Sequence, residues 1–178
     1  MLRKGVIFIT LNICVRLKRI ITSKFEKVIS QSFVVVSFMI ITCKLYQRVV
    51  AREISKAEIS SNDRVLLIGG GALPYTAVLI NKLTGAKVDV VDSDTHAYQC
   101  AKALHEKYYR DSYFPYCMCG KDCEFERYNA ILIARQIEKK DEIINRIVNK
   151  SRVNTKVIVR DENNLPVFLP DKDSLLVL

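Results

Sequence analysis

A chain of 178 residues is long enough for one domain with a proper hydrophobic core and too short for two comfortable ones. Its apolar share of 49% is ordinary for a globular protein, and it has no low-complexity tract, which excludes a disordered or fibrous chain. The net charge of +9 is uneven, because residues 1–59 hold 11 basic and three acidic side chains. Such a segment can favour an anionic partner, namely nucleic acid, a membrane surface or an acidic substrate. The plainer interpretation is that these basic residues form the solvent-exposed face of a helix.

Two uncharged apolar runs, residues 5–15 and 28–43, lie in this basic segment. Each falls short of the roughly 20 residues that a membrane-spanning helix needs. The first run is followed by three basic residues and lacks a small-residue cleavage site, so it does not match a signal peptide. Six cysteines in such a chain are most simply free thiols. We therefore expect a cytoplasmic protein, with peripheral membrane contact as the alternative.

The first predicted helix covers residues 31–54. Phe38, Ile41, Leu45 and Val49 recur in it at helical spacing, and a polar break follows at residues 60–63. We therefore divide the chain into a basic helical N-terminal segment, residues 1–59, and a second domain, residues 60–178.

A strand, a glycine-rich turn and a helix follow the break. Residues 65–68 form a short apolar run, typical of a buried parallel strand, and lead directly into residues 69–71, all glycine. Pro74 suits the first turn of a helix that Gly85 would end.

Strands and helices continue to alternate along the chain. The pattern predicts strands at residues 87–91, 113–118, 130–134 and 155–159, and a return strand at 165–169. It predicts helices at residues 95–109, with Thr95 as the N-cap, and at 138–149. This alternation favours an α/β fold with a doubly wound, mostly parallel, Rossmann-like sheet covered on both faces.

The turn at residues 69–71 is a candidate nucleotide site. Three glycines let the backbone approach a ligand closely, and we expect the next helix to direct its unpaired N–H groups there. Asp92 ends the neighbouring strand, where its carboxylate can accept hydrogen bonds from both ribose hydroxyls. The sequence therefore predicts a nucleoside site across two adjacent strand ends, with an unliganded glycine turn as the alternative.

The segment Gly69-Gly70-Gly71-Ala72-Leu73-Pro74-Tyr75-Thr76 resembles the first motif of the nicotianamine synthase family, Gly-x-Gly-x-Leu-Pro-x-Thr. Residues 88–94 and 157–170 are similar to that family's second strand and to its fifth strand with the return strand. Tyr46 and Glu53 fall where the family has Tyr and Glu. The similarity covers about residues 44–170.

The resemblance implies a methyltransferase-like fold that uses S-adenosylmethionine as co-substrate. Its cofactor set in this chain would comprise Gly69, Gly70, Gly71, Leu73, Pro74, Thr76, Asp92, Asp122 near the adenine, and Ala134. It also implies a transferase that moves the aminocarboxypropyl group, or a methyl group, to a small amine acceptor. Tyr46 would be a catalytic phenol, and Glu26 is the acid that lies upstream of it. A packing role for Tyr46 and an exposed salt bridge for Glu53 are the alternatives.

Other interpretations stay open. One is a nucleic-acid-associated methyltransferase that uses the basic segment, and another is an idle S-adenosylmethionine-binding subunit. Whichever function applies, the protein could form a homo-oligomer. Cys117, Cys119 and Cys123, with Cys100 and His96 upstream, could supply metal ligands. Because a Cys-x-Cys pair on a strand crowds both thiols on one face, we expect free thiols and no metal.

Overall fold

The computed structural model describes residues 47–160 and the backbone of residues 166–168. A six-stranded sheet runs through this part of the chain, in the order β3-β2-β1-β4-β5-β6. The strands are β1 (Arg64–Ile68), β2 (Lys87–Asp92), β3 (Phe114–Cys117), β4 (Ala130–Ile133), β5 (Lys156–Arg160) and β6 (Pro166–Phe168). The first five are parallel, and β6 pairs antiparallel with β5. The predicted α/β fold with a mostly parallel sheet is confirmed.

Helices cover both faces of the sheet, as expected for a doubly wound fold. They are α1 (residues 47–56 of the described chain), α2 (Tyr75–Thr84), α3 (Thr95–Tyr108) and α4 (Lys140–Lys150). The core on the first face joins α1, α2 and α3 to Val65, Leu67 and Leu132. The core on the second face joins α4 to Leu66 and Ile68.

The connection from β3 to β4 contains no α-helix. It forms two 3-10 turns instead, Gly120–Asp122 and Phe125–Arg127. Phe125 is fully buried in the second-face core, so this short connection still closes part of that face.

The strand sequences explain why the sheet lies at the centre. Residues 65–68 of β1 and all of β4 are buried, and alternate side chains enter the two opposite cores. A strand that packs on both faces reads as a continuous apolar run, which is the pattern that predicted these two strands. β1 lies between β2 and β4, so it is central to the five parallel strands.

Most predicted boundaries agree with the structure to within two residues. α2 ends where predicted, because Gly85 adopts the left-handed conformation with φ 79° and its N–H bonds the carbonyl of Asn81. The predicted third strand, residues 113–118, shortens to Phe114–Cys117, since Tyr113 packs into the first-face core before the strand begins.

The prediction that Thr95 caps α3 is wrong. Asp94 is the N-cap, and its carboxylate accepts hydrogen bonds from the N–H groups of His96 and Ala97. Thr95 is the first helical residue. Asp and Thr are both common N-cap residues, so the sequence does not distinguish between them. The backbone conformation at the end of β2 decides which of the two is the cap.

The predicted N-terminal helix lies partly outside the described residues, which begin at 47. The described part continues as helix to residue 56, two residues beyond the prediction. Val50, Ala57 and Ile59 are buried in the first-face core, so this end of the basic segment packs on the sheet domain. Within residues 47–160, no helix has the length and apolar character needed to cross a membrane.

Replacing Asp94 with alanine tests the cap. We expect Asp94→Ala to lower the free energy of unfolding by about 1 kcal/mol, because two N–H groups lose their acceptor. Thr95→Ala is the matched control and is expected to change stability by less than about 0.5 kcal/mol. Urea unfolding measures both variants, and a larger loss in Thr95→Ala would contradict the assignment.

Candidate functional site

The glycine turn after β1 has a backbone that other residues adopt with strain. Gly69 has φ 82° and Gly71 has φ 65°, both in the left-handed region. At Gly70 a Cβ atom would collide with the Cγ1 methyl of Val90 on β2. The turn therefore favours glycine at all three positions, and at Gly70 the close approach of β2 leaves no room for a side chain.

Hydrogen bonds tie the turn to the end of β2. The N–H groups of Gly69 and Gly70 donate to the Val91 carbonyl at 2.8 and 3.3 Å. The N–H of Gly71 donates to Asp92 Oδ2 at 2.7 Å. These three donors are already used within the protein, so a ligand at the turn would meet its Cα atoms and carbonyl groups.

Asp92 lies where the sequence predicts, beside the turn, because Val91 pairs in register with Ile68. Its second oxygen, Oδ1, accepts the N–H of Asp94 at 3.1 Å. A carboxylate offers about four acceptor positions, so about two remain for ribose hydroxyls. The structure adds a role that the sequence did not predict, since this carboxylate also fixes the turn.

The expectation that the start of α2 offers free N–H groups is not met at its first positions. Pro74 has no N–H, and the N–H of Tyr75 donates to the Leu73 carbonyl at 2.9 Å. Leu73 itself is buried in the first-face core. Leu73 and Pro74 therefore shape the turn, and their contact with a ligand stays a prediction.

The loop after β4 closes the other side of the turn. The Ala134 N–H donates to the Ile68 carbonyl at 2.9 Å, which places this predicted residue next to the turn. Gln136 Nε2 donates to the Gly69 carbonyl at 2.8 Å. The Ile137 side chain occupies the space where a Cβ on Gly69 would lie. Sequence reasoning missed Gln136 and Ile137, and their position just after a predicted strand end was the available signal.

A buried ion pair lies at the same edge of the sheet. The guanidinium of Arg160, the last residue of β5, donates to both carboxylate oxygens of Glu53 at 2.8 and 2.6 Å. Its third nitrogen donates to Thr76 Oγ1 at 3.1 Å. The side chains of Glu53 and Arg160 are 1% and 10% exposed. The alternative of an exposed Glu53 salt bridge is therefore wrong, and the Thr76 hydroxyl serves the ion pair.

Asp122, predicted near an adenine, lies in the first 3-10 turn after β3. Its carboxylate is exposed and lies 3.9 Å from the Arg146 guanidinium of α4. It also lines a cavity of about 250 Å³ on the second face, together with Asp89 and Tyr128. Tyr46 and Glu26, the predicted catalytic residues, lie outside the described residues.

That second-face cavity contains its own ion pair. Arg64 donates to Asp89 Oδ2 from Nε and Nη2 at 3.0 and 2.7 Å, and the Tyr128 hydroxyl donates to the same oxygen at 2.9 Å. The hydrogen bond to Asp89 raises the pKa of Arg64, and burial raises the pKa of Tyr128. This cluster lies across the sheet from Val90, which packs under the glycine turn.

The cysteines at the end of β3 and in the loop after it do not converge on one point. Cys117 is exposed and Cys123 is buried, with its Sγ 3.8 Å from the Met118 sulfur. Burial raises the pKa of Cys123 to about 12. Among residues 47–160, no group of three or more His, Cys, Asp or Glu side chains is placed to hold a metal ion.

The raised pKa of Cys123 predicts a loss of stability in alkali. The ordinary thiol pKa is 9.0, so the neutral thiol contributes stability below pH 9, and this contribution is lost as the pH rises towards 12. We expect the unfolding free energy of Cys123→Ala to fall less steeply across this range, by at most about 1.4 kcal/mol per pH unit. Cys117→Ala, at an exposed thiol, is the control. Parallel slopes for all three proteins would contradict the assignment.

Sequence comparisons find relatives of defined activity. No protein-family model matches the chain. The chain is 27% identical over 114 residues to an L-histidine 2-aminobutanoyltransferase of Yersinia pestis, and 27% identical over 110 residues to the enzyme of that name from Pseudomonas aeruginosa. The first match covers 64% of this chain and 43% of the Yersinia enzyme. The chain thus spans less than half of the curated relatives that it matches.

Structural comparisons agree on the fold. The nicotianamine synthase MtNAS, in complex with MTA and tNA, matches with a TM-score of 0.69 and 18% identity, over 83% of this chain and 57% of that chain. An RNA methyltransferase from Salinibacter ruber, in complex with S-adenosyl-L-homocysteine, matches with a TM-score of 0.56 and 13% identity, over 65% of this chain and 76% of that chain. The resemblance to nicotianamine synthases is confirmed at the level of the fold.

Proposed function

We propose that this chain carries the S-adenosylmethionine-binding part of a transferase that moves the aminocarboxypropyl group to a small amine acceptor. The observation that carries the proposal is the glycine turn bonded to Asp92 at the carboxyl edge of a parallel sheet. The MtNAS fold and the sequence similarity to the two histidine aminobutanoyltransferases support the choice of group.

Asp92 and Gly71 would bind the nucleoside. Oδ1 and Oδ2 of Asp92 would accept the ribose hydroxyls while Gly71 stays bonded to Oδ2. The Cα face of Gly71 would lie against the ligand, where a side chain would take up the space. Hydrogen bonds within the protein already hold the Asp92 carboxylate and the Gly71 backbone in place, so ligand binding would need little further ordering of these groups.

The reaction depends on alignment. An unprotonated amine attacks the aminocarboxypropyl carbon next to the sulfonium, the carbon–sulfur bond breaks, and its electron pair passes to sulfur. The products are the alkylated amine and the neutral thioether methylthioadenosine, and the amine proton passes to a base. The protein must hold nitrogen, carbon and sulfur in line, which can supply several kcal/mol of the barrier reduction. For the base, Tyr46 and Glu26 stay predictions.

The acceptor is proposed to be a free amine of amino-acid size. The two related aminobutanoyltransferases are named for L-histidine, which makes L-histidine the first acceptor to try. We also propose a cytoplasmic location, which the free thiols of the four described cysteines support.

Product identity tests the proposal directly. Incubation of the purified chain with S-adenosylmethionine and L-histidine should release methylthioadenosine in equal amount to alkylated histidine, as measured by liquid chromatography and mass spectrometry. S-adenosylhomocysteine would instead identify methyl transfer. Binding of S-adenosylmethionine with neither nucleoside product would identify an idle binding subunit, and absence of binding would reject the site.

Asp92 offers a second test that needs only binding. We expect Asp92→Ala to weaken S-adenosylmethionine binding by roughly 1–3 kcal/mol, because the ribose hydroxyls and the Gly71 N–H of the turn both lose an acceptor. Asp111→Ala removes an exposed acid of the same charge and is expected to leave binding unchanged. Calorimetric titration gives both values, and equal affinity of the two variants would contradict the proposed pocket.

A further inference from the structure

The ion pair between Glu53 and Arg160 connects three elements at the edge that holds the glycine turn. Glu53 lies on α1, Arg160 ends β5, and Thr76 is the second residue of α2, the helix that follows the turn. The Arg160 carbonyl is held too, since it accepts a hydrogen bond from Lys140 Nζ at 2.8 Å. Side chain and backbone of Arg160 are therefore both fixed.

Burial of this pair needs an explanation beyond stability. Removing two charges from water is expensive, and apolar residues of the same volume often stabilise a core equally well. An arginine that donates to both oxygens of a carboxylate, however, fixes the relative orientation of the two side chains as well as their separation. Here a third bond, to the Thr76 hydroxyl, extends that fixed geometry to α2.

We infer that Glu53, Arg160 and Thr76 form a positioning unit, which sets α1 at a defined place beside the glycine turn. The inference rests on the proposed function, in which an amine must approach the sulfonium carbon along one line. Tyr46, the predicted phenol of the acceptor side, directly precedes α1 in the sequence, so the placement of α1 would set where that side lies relative to the nucleoside. The three residues act through the placement of α1 and not through contact with the reacting atoms.

Thr76 gives the sharpest variants, because its hydroxyl can be removed without changing the charge of the cluster. Thr76→Val keeps the shape of the side chain and loses the acceptor, whereas Thr76→Ser keeps the hydroxyl. We expect Thr76→Val to lower kcat/KM for L-histidine by about tenfold, and Thr76→Ser to retain most of it. Arg160→Lys cannot form the guanidinium fork and should lower kcat/KM by about 100-fold, because a displacement of the reacting groups by about 1 Å can reduce the rate that much.

The Kd of S-adenosylmethionine separates positioning from binding. We expect it to stay within about twofold in both Thr76 variants, so that the loss falls on the acceptor step. Lys102→Ala is the control, since it removes an exposed ion pair with Glu106 on α3 and should leave kcat/KM unchanged. A loss of affinity for S-adenosylmethionine equal to the loss of kcat/KM would assign Thr76 to cofactor binding and overturn the inference.

Hydrogen exchange keeps the inference testable without turnover. Thr76→Val and Arg160→Lys should raise amide exchange in residues 47–56, and Thr76→Ser and Lys102→Ala should not. If the natural chain forms no methylthioadenosine, the proposed function is wrong. The exchange measurements would still show whether Glu53, Arg160 and Thr76 position α1. Equal exchange in Thr76→Val and Thr76→Ser would overturn it.

Discussion

The hydrogen bond from the Gly71 N–H to the Asp92 carboxylate is the interaction on which the site depends. It joins the end of β2 to a turn that glycine alone can form without strain, and Val91 accepts the other two N–H groups of that turn. The result is a turn whose backbone is fixed by hydrogen bonds within the protein. This carboxylate orders the backbone through its bonds to the N–H groups of Gly71 and Asp94, and about two of its acceptor positions remain unused by them.

Around this bond, the neighbouring elements reach the turn through polar contacts from distant parts of the chain. Gln136 holds the Gly69 carbonyl from the loop after β4, and Arg160 reaches α2 from the end of β5. Parallel strands bring all these ends to one edge of the sheet, which is where ligands bind in open α/β folds. The two buried cores hold the strands rigid enough for such contacts to keep their geometry.

The two ion pairs described above, Glu53 with Arg160 and Asp89 with Arg64, lie in different surroundings. Glu53 and Arg160 are almost fully buried, whereas the Arg64 side chain is 40% exposed beside a buried Asp89. Solvent screens the second pair, so it adds little to stability, while loss of either partner in the first would leave a buried charge without compensation. The missing helix between β3 and β4 explains the exposure, since two short 3-10 turns cover less of the second face.

The sequence by itself determined the order of strands and helices, the glycine turn, and the place of Asp92. These features depend on local patterns, namely apolar runs, residues that start or end a helix, and a carboxylate at a strand end. Tertiary structure alone decided that Glu53 is buried, that Thr76 bonds Arg160, and that Gln136 closes the turn, because the partners are 107, 84 and 67 residues apart. The structure also decided that Asp94 and not Thr95 is the N-cap, since the backbone after β2 places the Asp94 carboxylate next to the first N–H groups of α3. Contacts between residues so far apart in the sequence depend on which strands lie next to each other in the sheet, and no local sequence pattern specifies that.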